Sequence, residues 1–257
     1  MAYGIDPTSD RAAFRQIADQ LRDDIVTGRL GAGQQLPSER HLMELFDASR
    51  GTIRQAIAIL RSEGLVEPQH GRGVFVRARP PVRRLASDRF ARRHREAGKA
   101  AYTVEMEAEG RVPEVEVLEV GRRAASPEVA GRLGIDPGEK VLVRARRYLA
   151  DRQPLELATS YLPLAIADGT PIAQKNPGPG GIYARLEETG HRLDHFTEEV
   201  TARMPTPEEA RALRLGDGVP VIALVRTAFD TSGAPVEVCD TVMAADRYVL
   251  SYTLPAS

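Results

Sequence analysis

A chain of 257 residues, 42% hydrophobic and 28% charged, is long enough for about two globular domains with cores of their own. Its single cysteine, Cys239, excludes an internal disulfide framework and suits a reducing, cytoplasmic setting, and neither a secretory-type N-terminus nor a run of about 18 apolar residues points to export or to a membrane. The net charge of -1 hides an uneven spread. Residues 48–79 carry six Arg against Glu63 and Glu67, residues 80–100 carry seven Lys or Arg against Asp88 and Glu96, and residues 101–257 carry 17 against 24 acids, so a polyanion partner is expected at one end only.

In chain order, Phe14, Ile17, Ala18, Leu21 and Ile25 repeat at the spacing of one helix face, and Gly28 closes that helix. Ser38 is a good N-cap, Glu39 stands in the first turn where the helix dipole favours an acid, and Leu42, Leu45 and Phe46 form the apolar stripe of a short second helix. Asp47-Ala48 interrupts it, and Ser49 caps a third helix whose buried face is Ile53, Ala56, Ile57 and Leu60. Arg50 and Arg54, four apart, share an exposed face near the start of that helix. Gly64 stops it, and a hairpin follows with His70, Gly71, Arg72 and Gly73 at its tip. Two short helices, a tight turn and arginines on the second make a helix-turn-helix with a wing, a plan that reads base edges from the start of its recognition helix.

Arg79-Pro80-Pro81 marks a boundary, so residues 1–78 are expected as a DNA-binding domain, 79–100 as a basic linker and 101–257 as a second domain. In the second domain Val115, Val117 and Val120 suggest a strand, Ser126-Pro127-Glu128 opens a helix, and Val141–Leu149 and Leu155–Leu162 pair across Asp151-Arg152-Gln153-Pro154. About 80 positions later the pattern returns: Thr206-Pro207-Glu208-Glu209 opens a helix, Val221–Phe229 is a strand and Asp230-Thr231-Ser232-Gly233 turns into Pro235–Val238. The overlay sets Arg146 on Arg226 and Glu156 on Glu237. The expected class is therefore α+β, with a mixed, mainly antiparallel C-terminal domain and a ligand pocket between its two halves.

Residues 12–77 resemble the winged helix-turn-helix of the GntR family of bacterial transcription regulators, on the strength of Leu36-Pro37-Ser38-Glu39-Arg40, Ser49-Arg50-Gly51-Thr52-Ile53-Arg54-Gln55-Ala56, the Leu60…Gly64-Leu65 spacing and His70-Gly71-Arg72-Gly73. The resemblance implies that Arg40, Ser49, Arg50, Gly51, Arg54, His70, Gly71 and Arg72 contact double-stranded operator DNA. Residues 101–257 resemble the effector-binding UTRA domain of the HutC-type branch, which shares the fold of chorismate lyase, through Asp136-Pro137-Gly138, Arg144-Ala145-Arg146-Arg147, Ser160-Tyr161-Leu162-Pro163, Gly181-Ile182-Tyr183-Ala184-Arg185-Leu186 and Pro235-Val236-Glu237. That resemblance implies an effector site at Arg144, Arg146, Glu156, Tyr183 and Glu237. Gly181 and Met243 replace a Ser and a Tyr expected to touch a phosphosugar, which turns the expectation toward another polar or anionic metabolite.

The whole reads as a ligand-responsive repressor, a homodimer on an inverted repeat with half-sites about 34 Å apart. No cofactor and no metal is implied. The rival from another class is lyase-like turnover of a small carboxylate, which rests on fold analogy alone. Asn176-Pro177-Gly178-Pro179-Gly180-Gly181 lacks the Lys of a phosphate loop and is expected as a loop near the pocket. His191 and His195 have a metal-like spacing but fall in a stretch that reads as a strand, and Cys239 reads as core.

Overall fold

The N-terminal helices are built from local signals that close on one core. Helix α1, Ala13–Val26, buries Ile17, Ala18 and Leu21. Helix α2, Glu39–Phe46, starts where the Ser38 hydroxyl accepts the His41 amide at 3.2 Å, and it stops at Asp47, whose φ of +47° no helix can continue. Helix α3, Arg50–Ser62, starts where the Ser49 hydroxyl accepts the Thr52 amide at 3.2 Å, and it buries Ile53, Ala56, Ile57 and Leu60. Their apolar faces meet with Leu36, Leu42 and Phe46 in a single core, each large side chain contributing roughly 1.5–3 kcal/mol.

The wing follows as strands β1, Val66–Gln69, and β2, Gly73–Val76, paired antiparallel from Val66↔Val76 to Gln69↔Gly73. The Gly-rich connector between α1 and α2 turns out to be a third partner of this hairpin. Leu36 donates its amide to the Val74 carbonyl at 2.8 Å and Gly33 donates to Val76 at 3.0 Å. The Gln35 side chain donates to the Arg72 carbonyl at 2.6 Å, and Gly73, at φ +115°, leaves room for it: a Cβ there would lie 2.6 Å from Gln35 Nε2.

The computed structural model describes residues 4–69, 71–77, 82–85 and 90–253, so His70 lies outside the described residues. The chain divides into two units, residues 1–80 with 215–219, and 81–214 with 220–257.

In the second unit, strand β3, Val82–Leu85, pairs in parallel with the late strand Tyr248–Ser251. Helices α4, Arg92–Glu96, and α5, Ala101–Ala108, lead into strand β4, Pro113–Ala124, helix α6, Pro127–Leu133, and the hairpin β5, Lys140–Ala150, with β6, Gln153–Pro163. Helix α7, Gly181–Glu188, leads likewise into β7, Leu193–Arg203, helix α8, Pro207–Ala212, and the hairpin β8, Val221–Asp230, with β9, Pro235–Ala244. Strand β10 is Tyr248–Ser251. The main sheet has the order β4-β5-β6-β9-β8-β7, antiparallel throughout. The order reads as two matching halves meeting at β6 and β9, each half a helix, an outer strand, a second helix and a hairpin.

The register carries the internal repeat further than the motifs do. Tyr148 faces Glu156 in the first hairpin, and Ala228, 80 positions on from Tyr148, faces Glu237 in the second. The first turn is tighter than expected. Asp151 and Arg152, at φ +51° and +65°, make a two-residue turn, and Gln153 and Pro154 already belong to the return strand. One face of the sheet packs on α6 through Val129, Ala130, Leu133, Val141, Val143 and Val238. Alternation puts Arg144, Arg146, Tyr148, Arg226 and Glu237 on the other.

Candidate functional site

The surface expected to face DNA is built from two caps and a shared carboxylate. Because Ser49 caps α3, the first helical residue is Arg50, and Arg54 follows one turn later on the same side. Their side chains are 71% and 68% exposed, and Arg40 on α2 is 90% exposed. Arg50 Nε donates to Glu39 Oε2 at 2.8 Å, Arg54 Nε stands 3.6 Å from Glu39 Oε1, and Arg40 Nε donates to Glu44 at 3.1 Å. Glu39, read from sequence only as a helix-dipole partner, thus holds both arginines on one side of α3. Gly51 presents no side chain, and a Cβ there would meet only Ser49 Oγ, at 3.7 Å. At the wing, Arg72 donates to Gln69 Oε1 at 2.9 Å and lies 5.2 Å from the centre of the Phe75 ring. Gly71 stands at φ +70° with open space around it.

The second unit contains a cavity of about 480 Å³. The β5–β6 half supplies Arg144, Arg146 and Tyr148, the β8–β9 half supplies Arg226 and Glu237, and α5, α7 and the Asn176–Gly181 loop close it with Tyr102, Tyr183 and glycines. Of the five residues named from sequence, Arg144, Arg146, Tyr183 and Glu237 line this cavity, while Glu156 does not. Glu156 is 1% exposed and lies in register with Tyr148 and Met243.

The two arginines of β5 have parted roles. Arg144 donates Nη1 to the carbonyls of Ile172 and Gln174 and Nη2 to that of Lys175 at 3.1 Å, so its guanidinium shapes the 172–175 loop. Burial and the neighbouring Arg146 charge bring its pKa down to about 10. Arg146 bonds Ser160 Oγ, lies 5.7 Å from the Tyr148 ring centre, and keeps a buried Nε with no hydrogen-bond partner among the described residues. The Tyr102 hydroxyl is likewise buried and unpartnered among them, and burial first, then Glu156 and Glu105, pushes its pKa up.

On the opposite wall the Tyr183 hydroxyl donates to Glu237 Oε2 at 2.5 Å and accepts from Arg226 Nε at 3.1 Å. Burial raises the phenol well above its ordinary value, so it remains a donor to the carboxylate. Burial works against the charge on Arg226, but its neighbours, the Glu237 and Glu198 carboxylates among them, outweigh it and hold the guanidinium charged. Arg226 and Tyr102 were not picked out as site residues from the sequence. The signal was present for Arg226, since the 80-residue overlay sets it on Arg146; Tyr102 sits in α5 as Ile182 and Tyr183 sit in α7, and only the repeated helix reveals it.

The remaining motifs fall outside this chemistry. His191 Nδ1 pairs with Asp230 at 2.9 Å and lies ahead of β7, while His195 Nδ1 pairs with Asp194 at 2.9 Å, so the two imidazoles serve different carboxylates. Cys239 is buried, 3.7 Å from Ser160 Oγ. Among the described residues no helix is long and apolar enough to cross a membrane. The Asn176–Gly181 loop closes the cavity, and at Gly180 a Cβ would lie 2.7 Å from the Ala184 Cβ.

A winged helix-turn-helix with exposed arginines at the start of helix α3, joined in one chain to an α+β domain whose cavity is lined by arginines, tyrosines and Glu237, defines a DNA-binding transcription regulator that responds to a small molecule. The chain belongs to the GntR family of bacterial regulatory proteins, whose model matches residues 13–76, and it carries a UTRA domain at residues 108–249, in keeping with the HutC-type branch. It is 36% identical to an uncharacterized HTH-type transcriptional regulator of Streptomyces coelicolor, over 93% of this chain and 91% of that protein. It is 28% identical to the HTH-type transcriptional repressor NagR of Bacillus subtilis, over 91% of each. A crystal structure of a GntR-family transcriptional regulator, 33% identical, superposes with a TM-score of 0.64 over 96% of this chain and 99% of the other. The family and these relatives are transcription regulators, and no relative named here is an enzyme.

Proposed function

We propose that the protein is a repressor that binds an inverted-repeat operator as a homodimer and leaves it when a small polar anion occupies the cavity of the second unit. In this reading Arg40, Ser49, Arg50, Arg54 and Arg72 contact DNA, with Gly51 and Gly71 giving backbone approach. The observation that carries the effector half is the pairing of unsatisfied donors with a committed acceptor inside one cavity. Arg146 Nε and the Tyr102 hydroxyl are buried without partners among the described residues, and Glu237 stands on the other wall with Tyr183 bonded to it. A buried donor left unbonded costs about 1–3 kcal/mol, so a ligand that satisfies it gains that much over water-exposed alternatives. The chemistry that fits is a compact molecule with an anionic group for Arg146 and a hydroxyl or amine for Glu237.

Arg144 spends both Nη atoms on three backbone carbonyls and Arg146 spends Nη2 on Ser160 Oγ, so few guanidinium donors remain for a ligand. This favours a singly charged head, such as a carboxylate, over a phosphate dianion. Glu156 is better read as a structural carboxylate of the sheet than as a ligand contact. The name repressor is carried by NagR of Bacillus subtilis, which supports the sign of regulation.

The test is a thermal-shift screen of the full chain against polar metabolites, since a ligand preferring the folded state raises its apparent stability. A true effector stabilises the wild type, fails to stabilise Arg146→Ala, and releases the wild-type protein from an operator selected from genomic DNA. A hit that stabilises Arg146→Ala as strongly as the wild type would remove this cavity wall from the reading.

A further inference from the structure

The segment that follows the winged unit in the chain is tied to the cavity through buried charges. Arg84 on β3 is 2% exposed. It donates Nη2 to Glu198 Oε1 at 2.9 Å and Nη1 to Met243 Sδ at 3.4 Å. Glu198 Oε2 accepts the Tyr252 hydroxyl, just beyond β10, at 3.0 Å. Glu198 Oε1 also stands 3.8 Å from Arg226 Nη1, and Arg226 Nη2 stands 3.8 Å from Glu237 Oε2, the same oxygen that receives the Tyr183 hydroxyl. Phe90, from the same segment as β3, lies 4.5 Å from the Arg226 guanidinium and lines the cavity. Arg226 therefore touches the cavity at Tyr183 and Glu237, and the post-wing segment at Phe90 directly and at Arg84 through Glu198.

We propose that Arg226 and Glu198 are positioning residues that transmit the state of the Glu237 carboxylate to strand β3, which leads into the second unit from the DNA-binding unit. The inference rests on reading the cavity as the effector site and names how that site is heard. Two guanidinium and two carboxylate groups share the chain Glu237–Arg226–Glu198–Arg84, so it is neutral as a whole, and each inner member divides its attraction between two neighbours. A ligand donor bonded to Glu237 weakens the hold of that carboxylate on Arg226. The guanidinium then leans on Glu198, which in turn loosens on Arg84. In water such a change would be screened within one or two contacts; in a buried, weakly polarisable interior it is not. The parallel pair β3–β10 spans only Val82–Leu85 and Tyr248–Ser251, and Arg84 and Tyr252 both rest on Glu198, which makes this short ladder the element poised to respond.

Hydrogen exchange of the full chain tests this without any ligand. Glu237→Gln keeps the shape and an acceptor for Tyr183 but removes the charge, and Glu198→Gln does the same in the middle of the chain. Each is expected to speed exchange of the β3 and β10 amides by about tenfold, the scale of coupling within one hydrogen-bond network, with the double variant no faster than the faster single one. Amides at the centre of the β5–β6 hairpin serve as the reference for global loosening. Tyr183→Phe, which leaves every charge in place and removes a donor from Glu237, is expected to tighten that carboxylate on Arg226 and so slow exchange of the same amides, and it covers the case in which a charge variant fails to fold. Wild-type exchange at β3 and β10 in both Glu237→Gln and Tyr183→Phe, or full additivity in the double variant, would overturn the proposal. Because no ligand enters, that failure is separate from failure of the effector reading, which the Arg146→Ala shift reports.

Discussion

The reading helix holds its arginines in water, with Arg50 and Arg54 side chains 71% and 68% exposed and sharing Glu39. The sheet of the effector domain holds Arg144 and Arg226 at 1% and 6% exposure, the first bonded to carbonyls, the second bonded to a phenol with two carboxylates 3.8 Å away. The difference is one of exchange cost. An exposed ion pair contributes about 0–1 kcal/mol, so Glu39 can yield its arginines to a guanine edge or a phosphate at little loss. A buried guanidinium cannot leave its partners without stranding charges, so it acts by shifting among them. The same residue type is thus exposed and loosely paired in one unit and buried among fixed partners in the other.

That contrast breaks most visibly at Arg226. Arg226→Ala leaves Glu237 buried without that guanidinium and Glu198 with Arg84 alone, and is expected to cost about 3–5 kcal/mol in denaturant unfolding of the full chain. A loss under 1 kcal/mol would mean that these carboxylates are better solvated than their burial indicates. Arg50→Ala or Arg54→Ala is expected to weaken specific operator binding by about 1–3 kcal/mol each, or roughly tenfold to a hundredfold, with the melting temperature unchanged. A titration at fixed salt showing full operator affinity would place the base readout elsewhere. Ser49→Ala removes the cap of the reading helix and is expected to cost about 1 kcal/mol of stability, seen as a lower melting temperature. The mildest effect is confined to acid. Hydrogen bonds from Ser232, then His191, hold the Asp230 carboxyl at about 2, below its ordinary 3.8. Its contribution is whole above about pH 4 and is lost as the pH falls through about 2, so Asp230→Asn should flatten that part of the stability profile. An unchanged slope between those values would show that other carboxyls set it.

The winged unit was nearly all legible from residue order, because its signals are local. Ser38 and Ser49 accept the amides that their spacing promised, Asp47 breaks the chain between the helices, and the buried faces follow the apolar period. What spacing missed there was the sharing of Glu39 and the support of the wing by Gln35, both contacts between elements. In the effector domain the repeat was visible as turn and helix punctuation, and the hairpin registers of Glu156 and Glu237 match it, yet only Glu237 reaches the cavity. The helix that brings Tyr102 to the cavity carries little pattern of its own, and the segment after the wing reads as a basic linker, whereas Arg84 is buried on Glu198 and Arg95 is held at 3.0 Å by Glu187.

By itself the sequence determined the helix boundaries of the winged unit, the wing, the paired hairpins and the family, since each depends on neighbours a few residues apart or on motif order. It also placed Arg144 and Arg146 on one face of one strand. Only the tertiary structure decided between them, because alternation along a strand sets which way a side chain points and not what it meets. The 172–175 loop brings its carbonyls to Arg144, and Arg146, two positions on, meets Ser160 Oγ and the Tyr148 ring instead.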